Sequence, residues 1–143
     1  MTSPTSTLTP AMQAAVGKPG ERRTAIVEWG AVVRFAEAIG DGNPAYPDVA
    51  PPTFLRSMGR ATPDLPDAAT VPRVLDGASE WHYGPPVRPG DAIDLTTVLE
   101  SLREREGRMG PMLIADYVTT YVNQRGETVA TQRSTVIRMR RSA

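Results

Sequence analysis

Near residue 74 the spacing of apolar residues changes from a helical period to a strand period, and this change divides the chain into two unlike parts. Before it, Val32, Phe35, Ala36 and Ile39 fall at i, i+3, i+4 and i+7 within Trp29–Ile39. That is one apolar stripe of an α-helix. Gly40 stands where a C-terminal helix cap belongs. After the change, three long segments alternate. Asp91–Leu102 places Ile93, Leu95, Thr97 and Leu99 on one face. Met112–Val122 places Met112, Ile114, Val118 and Val122 opposite Leu113, Tyr117 and Tyr121. Glu127–Met139 places Val129, Thr131, Thr135 and Ile137 together. The Asn123–Gly126 stretch reads as a hairpin turn and Glu104–Gly110 as a charged one, so the three strands form an antiparallel meander. Val74–Tyr83 adds a further extended piece, closed by Pro85–Gly90.

A helix with one apolar face, followed by long strands, must bury that face on the sheet. The expected class is α+β: a single hot-dog domain over residues 21–143, its central helix wrapped by a curved antiparallel sheet. Residues 1–20, rich in Thr, Ser, Pro and Gly, read as a flexible N-terminal arm. Glu21–Val27 reads as a short extended entry piece, Thr53–Arg60 as a second short helix and Ala61–Pro72 as an irregular connection. An open sheet leaves an edge that is usually paired or covered, so a dimer is expected.

Composition removes several kinds of chemistry. The 143 residues contain no cysteine and one histidine, His82, which excludes disulfide scaffolds, thiolate zinc sites, iron–sulfur clusters and a His-based metal site. Sixteen basic residues balance sixteen acidic ones, which argues against a nucleic-acid binder that works by charge. No apolar run is long enough for a membrane span, and Met1–Pro10 lacks the features of a secretory signal, so the expected compartment is the cytoplasm. Every basic residue but Lys18 is Arg. A GC-rich genome explains that bias; anion recognition by guanidinium forks is the other reading.

The segment Gly40-Asp41-Gly42-Asn43-Pro44-Ala45-Tyr46 puts a carboxylate just past a helix C-terminus, where the helix dipole does not favour it. Asp, Gly, Asn and Pro are also ordinary turn residues. Together with Phe35–Ile39 this segment resembles the Gly-Asp-x-Asn-Pro-x-His motif of the MaoC-like (R)-hydroxyacyl thioester hydratases and dehydratases. Val49–Leu55 is similar to the Ala-Pro-Pro-Thr-Phe block that follows, Pro86–Asp91 to a Pro-x-x-x-Gly-Asp block, and Tyr121–Val129 to an Asn-x-x-Gly-Glu hairpin. The nearest branch is the N-terminal, FAS1-like dehydratase half of two-domain members, or the small subunit of heterodimeric hydroxyacyl-ACP dehydratases.

The resemblance implies acid–base chemistry at an Asp/His pair, which holds one water across C2–C3 of an enoyl thioester, or removes it, with no metal or bound cofactor. Coenzyme A or phosphopantetheine would enter only as the carrier of an acyl-CoA or acyl-ACP substrate. It places Asp41, Asn43 and Tyr46 at the catalytic positions, and Pro52, Thr53, Phe54 and Gly90 at substrate-binding ones. The departure is Tyr46, which stands where the motif has His. A phenol is a weak base at neutral pH. Three readings follow: the acyl-binding partner in a heterodimer, a homodimeric hydratase pairing Asp41 with Tyr46, or a non-enzymatic acyl-thioester-binding module.

Two other groups attract notice. His82, in Glu80-Trp81-His82-Tyr83, could replace the missing base or simply pack on an aromatic strand. Arg103, Arg105 and Arg108, like Arg138, Arg140 and Arg141, could meet coenzyme phosphates or an acidic carrier protein, or form solvated faces.

Overall fold

The computed structural model describes residues 6–141. It is an α+β structure with the hot-dog layout expected from the sequence. Five strands, β1 (Arg23–Ile26), β2 (Arg73–Tyr83), β3 (Ala92–Gly107), β4 (Gly110–Val122) and β5 (Thr128–Met139), form one antiparallel sheet in the order β1-β3-β4-β5-β2. Two α-helices, α1 (Pro10–Ala15) and α2 (Trp29–Ala38), and a 3₁₀ helix at Pro52–Met58 accompany it.

The α2 stripe is buried as its spacing requires. Val32 packs with Ile93, Leu95, Tyr121, Val129, Phe54 and Leu55, and Phe35 meets Phe54 edge-on at 5.6 Å between ring centroids. Each large side chain buried here contributes roughly 1.5–3 kcal/mol. Along β4 the same sheet face carries Leu113, Ala115, Tyr117, Thr119 and Tyr121, all at most 3% exposed. The outer face carries Asp116, which accepts hydrogen bonds from Ser101, Arg103 and Thr135.

Three expectations change. The arm is not loose over residues 6–20. Helix α1 packs Met12, fully buried, against Leu65, Val71, Leu99, Leu113 and Tyr117. Its flanks bond to β3, Gly17 N–H to Leu99 O and Gly20 N–H to Thr97 O, both at 2.8 Å. Residues 1–5 of the arm lie outside the described residues.

The charged turn is also shorter than expected. Strand β3 runs on through Glu104 and Glu106 to Gly107, and Arg103↔Ile114 and Arg105↔Met112 are paired. The Glu104 carboxylate receives the Thr7 N–H and hydroxyl, both at 2.6 Å, and the Ser6 hydroxyl at 2.9 Å. A run that reads as solvated is therefore partly an anchor for the N-terminal segment.

The third change concerns β5. Ala130, Gln132 and Ser134 pair with Tyr121, Thr119 and Tyr117 and are buried with them on the helix-covered face. Thr131, Thr135 and Ile137 take the outer face, so the apolar alternation there does not mark the core.

The two sheet edges differ. Strand β1 is four residues long, whereas β2, among the described residues, pairs only with β5 along its eleven residues and leaves Val74, Leu75 and Tyr83 about half exposed. A bulge lies between Asp76 and Ala78.

Candidate functional site

Helix α2 ends in a paired carbonyl cap. Gly40 takes φ +69°, its N–H bonds Glu37 O, and the Asp41 N–H reaches back to Ala36 O, both at 3.1 Å. This is the Schellman arrangement, and it needs a residue free of Cβ strain at Gly40. The cap fixes where Asp41 leaves the helix.

From there the loop is held by its own side chains. Asp41 Oδ1 accepts the Asn43 N–H at 3.0 Å, and Asn43 Oδ1 accepts the Ala45 N–H at 3.0 Å. The Tyr46 N–H bonds Asn43 O at 3.0 Å. Such side-chain-to-backbone turns are the usual reason for Asp and Asn in loops. The side chains of Asp41 and Asn43 also reach the Tyr46 phenol, which is hydrogen-bonded by both.

Burial pushes the Tyr46 phenol up, and the negative charge and hydrogen bond of Asp41 push it further up; the Asn43 hydrogen bond, which acts the other way, does not offset them. At neutral pH Tyr46 is therefore a protonated donor, not a base. The pair Asp41–Tyr46 offers one acceptor and one donor.

Two cavities flank this loop. One, of about 440 Å³, is lined by Asp41, Asn43 and Tyr46 with Val33, Ala36 and Glu37 of α2. The other, of about 270 Å³, shares Asn43 and Tyr46 and is walled by Val49, Leu55, Tyr83, Val87 and Val129. The second is the more apolar space, and the shared wall is made of the candidate catalytic residues.

The four positions expected to bind substrate are dispersed. Pro52 lines the second cavity. Phe54 is 5% exposed and belongs to the core under Phe35, so it supports the wall from behind. Thr53 is exposed and lines neither cavity beside Asp41. Gly90 lies in neither lining; it takes φ +92° in the turn before β3, its N–H bonded to Val27 O at 2.7 Å. Tyr83 and Leu55 line the second cavity although no motif in the sequence marks them. For Tyr83 the alternation with His82 carries a signal, since it puts Tyr83 on the inner face with Trp81.

His82 does not join the site. Trp81 and Tyr83 stack at 5.7 Å, and Trp81 leans on Tyr121 at 5.5 Å, all toward the core. His82 points the other way, exposed and paired with Glu80 at 2.8 Å.

The Pro86–Asp91 and Tyr121–Val129 blocks meet structurally. Burial pushes the Asp91 carboxyl up, but hydrogen bonds from Gln124, the Arg88 N–H and Arg125, with the charge of Arg125, outweigh it and hold it below its ordinary value. Asp91 thus ties the turn before β3 to the β4–β5 hairpin. No group of His, Asp and Glu among the described residues could hold a metal ion, and no described helix is long and apolar enough to cross a membrane.

Comparison with known proteins agrees with this architecture. The family model described as "FAS1-like, dehydratase domain region" matches residues 14–132. A UPF0336 protein of Streptomyces coelicolor is 34% identical over 90 residues, 51% of this chain and 60% of that one. The chain therefore spans less than two thirds of that relative's length. Among solved structures, the ChsH1-ChsH2 complex from Mycobacterium tuberculosis superposes with a TM-score of 0.74 at 20% identity, over 92% of this chain and 89% of that chain. A MaoC-like dehydratase from Rhodospirillum rubrum gives 0.66 at 23% identity, over 90% and 95%. At such identities the superpositions show the fold.

Proposed function

The chain belongs to the FAS1-like dehydratase family, and from that premise we propose that it is one subunit of a MaoC-like acyl-thioester dehydratase or hydratase. The reaction is reversible loss of water from an (R)-3-hydroxyacyl thioester to give the trans-2-enoyl thioester. This chain serves as the acyl-binding half of a heterodimer, and a second hot-dog chain supplies an intact Asp/His pair.

One observation carries the reading. The residue beside Asp41 is a phenol held protonated, and the chain's single histidine faces away on the other side of the sheet. Hydration needs a group that takes a proton from water and one that delivers a proton to C2. Asp41 can accept and orient a water. Tyr46 can donate a hydrogen bond, but its raised pKa leaves it poorly suited to exchange protons at neutral pH. The apolar cavity walled by Val49, Leu55, Tyr83 and Val129 suits an acyl chain. The long, exposed β2 edge suits a partner sheet. The solved ChsH1-ChsH2 complex supports the two-chain arrangement by analogy.

The test is crotonyl-thioester hydration by the purified chain, alone and co-expressed with a MaoC-like partner from the adjacent reading frame. Activity only in the co-expressed pair, lowered less than tenfold by Asp41→Asn, supports the heterodimer. Activity of the chain alone that Asp41→Asn lowers by about 10²–10⁴-fold identifies a homodimer using Asp41 with Tyr46 instead. Thioester binding without turnover in either preparation leaves a binding module.

A further inference from the structure

A third space lies on the helix-covered face, between the end of the 3₁₀ helix and strands β2 and β5. It has a volume of about 190 Å³, and none of its lining residues lines the two cavities beside Asp41. Its polar walls are Arg56, Arg60, Asp76, Ser79, Gln132 and Ser134.

Gln132 is the unusual residue. It occupies a core-facing position, 1% exposed. Its Nε2 donates to Ser79 Oγ at 2.9 Å, yet its Oε1 is buried and receives no hydrogen bond from any described residue. A buried carbonyl oxygen without a donor is costly, so the position favours a ligand group that donates. Arg60, half-buried, spends one N–H on Ser134 Oγ. Neither Arg56 nor Arg60 is ion-paired with a carboxylate among the described residues. Guanidinium groups present forked donors that match carboxylate oxygens. Asp76 lines the same space, so two cations and one anion leave a single positive charge in excess. That balance suits a monoanion better than a dianionic phosphate.

We propose that this cavity binds a small hydroxycarboxylate. The carboxylate accepts from Arg60 and Arg56, and the hydroxyl donates to Gln132 Oε1. The site is separate from the chemistry at Asp41 and does not depend on the acyl-thioester reading.

The experiment is a titration of the full chain with (R)-3-hydroxybutyrate, read by NMR at the Gln132 side-chain amide and the Arg60 Nε–H. Butyrate lacks the hydroxyl and methyl (R)-3-hydroxybutyrate lacks the charge. Saturable shifts at both groups are expected with hydroxybutyrate, about tenfold weaker binding with butyrate, and none with the ester. Arg60→Gln should abolish binding. Gln132→Leu should erase the preference over butyrate while raising Tm, because it removes the unpartnered carbonyl. If Gln132→Leu fails to fold, Gln132→Glu serves: at neutral pH its added negative charge should abolish carboxylate binding. Equal binding of all three probes, shifts confined to the Asp41–Tyr46 loop, or no saturable shift would overturn the proposal. So would a change in oligomeric state with Arg60→Gln and no carboxylate binding, which would assign the cavity to a side chain of a partner chain.

Discussion

The two ends of the helix-covered sheet face are both packed, but by different means. At one end α2 and the 3₁₀ helix bring Val32, Phe35, Phe54 and Leu55 onto Ile93, Leu95 and Tyr121. These elements announce themselves locally, through the apolar stripe, the Gly40 cap and the Pro51-Pro52 start. At the other end a six-residue helix is too short to be stable by itself. It is held by one fully buried methionine and by side chains far off in sequence. Thr9 caps α1 by accepting the Met12 N–H at 3.2 Å and donates to Asp67 at 2.7 Å, while Glu104 gathers residues 6–8. The first end is built from pattern and the second from anchors. The comparison predicts that damage to the first unfolds the domain, and that damage to the second loosens a segment.

The largest effect is expected from Phe54→Ala. It empties a core site under Phe35 and should lower stability by about 3–4 kcal/mol in urea unfolding. A loss below 1 kcal/mol would mean that the two ends are less distinct than their packing suggests. Next comes Met12→Ala, expected to cost about 2 kcal/mol. Amides of residues 6–20 should exchange with solvent faster than those of β4 and β5. Uniform acceleration throughout the sheet would show that α1 belongs to the same cooperative unit.

Glu104→Gln should cost about 1 kcal/mol, because the anchor keeps its shape but loses its charge. The Thr7 hydroxyl hydrogen bond, helped by Ser6 and the Thr7 and Leu8 N–H groups, outweighs desolvation and holds the Glu104 carboxyl below its usual value. A carboxyl depressed in the folded state contributes stability above its unfolded pKa, near 4.3, and loses it as pH falls through the folded value. Protease cleavage within residues 6–20 should therefore rise on acidification below about pH 4 in the parent chain, and depend less on pH in Glu104→Gln. The smallest effect is expected from Tyr46→His, within about 0.5 kcal/mol, since the loop around it is exposed and held by local bonds.

The same contrast explains what the sequence disclosed. Helix α2, the strands and the Asn123–Gly126 turn are visible because periodicity and turn chemistry act over a few residues. Asp41, Asn43 and Tyr46 come together because they are neighbours in the chain. The α1 segment reads as loose in the sequence because its partners, Glu104, Leu99 and Leu113, are about a hundred residues away along the chain. The extension of β3 was hidden because alternating Arg and Glu carries no apolar signal. The resemblance puts Phe54 among the substrate-binding positions, and its ring packs in the core; the block fixes position in the chain without fixing which side of the wall a ring takes. Gln132 and Arg60 meet only through the pairing of β2 with β5 and the return of the chain after the 3₁₀ helix. No local pattern foretells that.

The self-sufficiency of the Asp41–Tyr46 loop has an evolutionary consequence. Its turns are closed by the side chains of Asp41 and Asn43 and by main-chain bonds, and none of them depends on which ring stands at Tyr46. Tyrosine and histidine codons differ by a single base. The exchange of one ring for the other at this position is therefore a single mutational step that leaves the backbone turns of the loop closed. Under the two-chain reading proposed above, division of labour would then be easy to enter and easy to reverse, with the residue at this one position marking each chain's share.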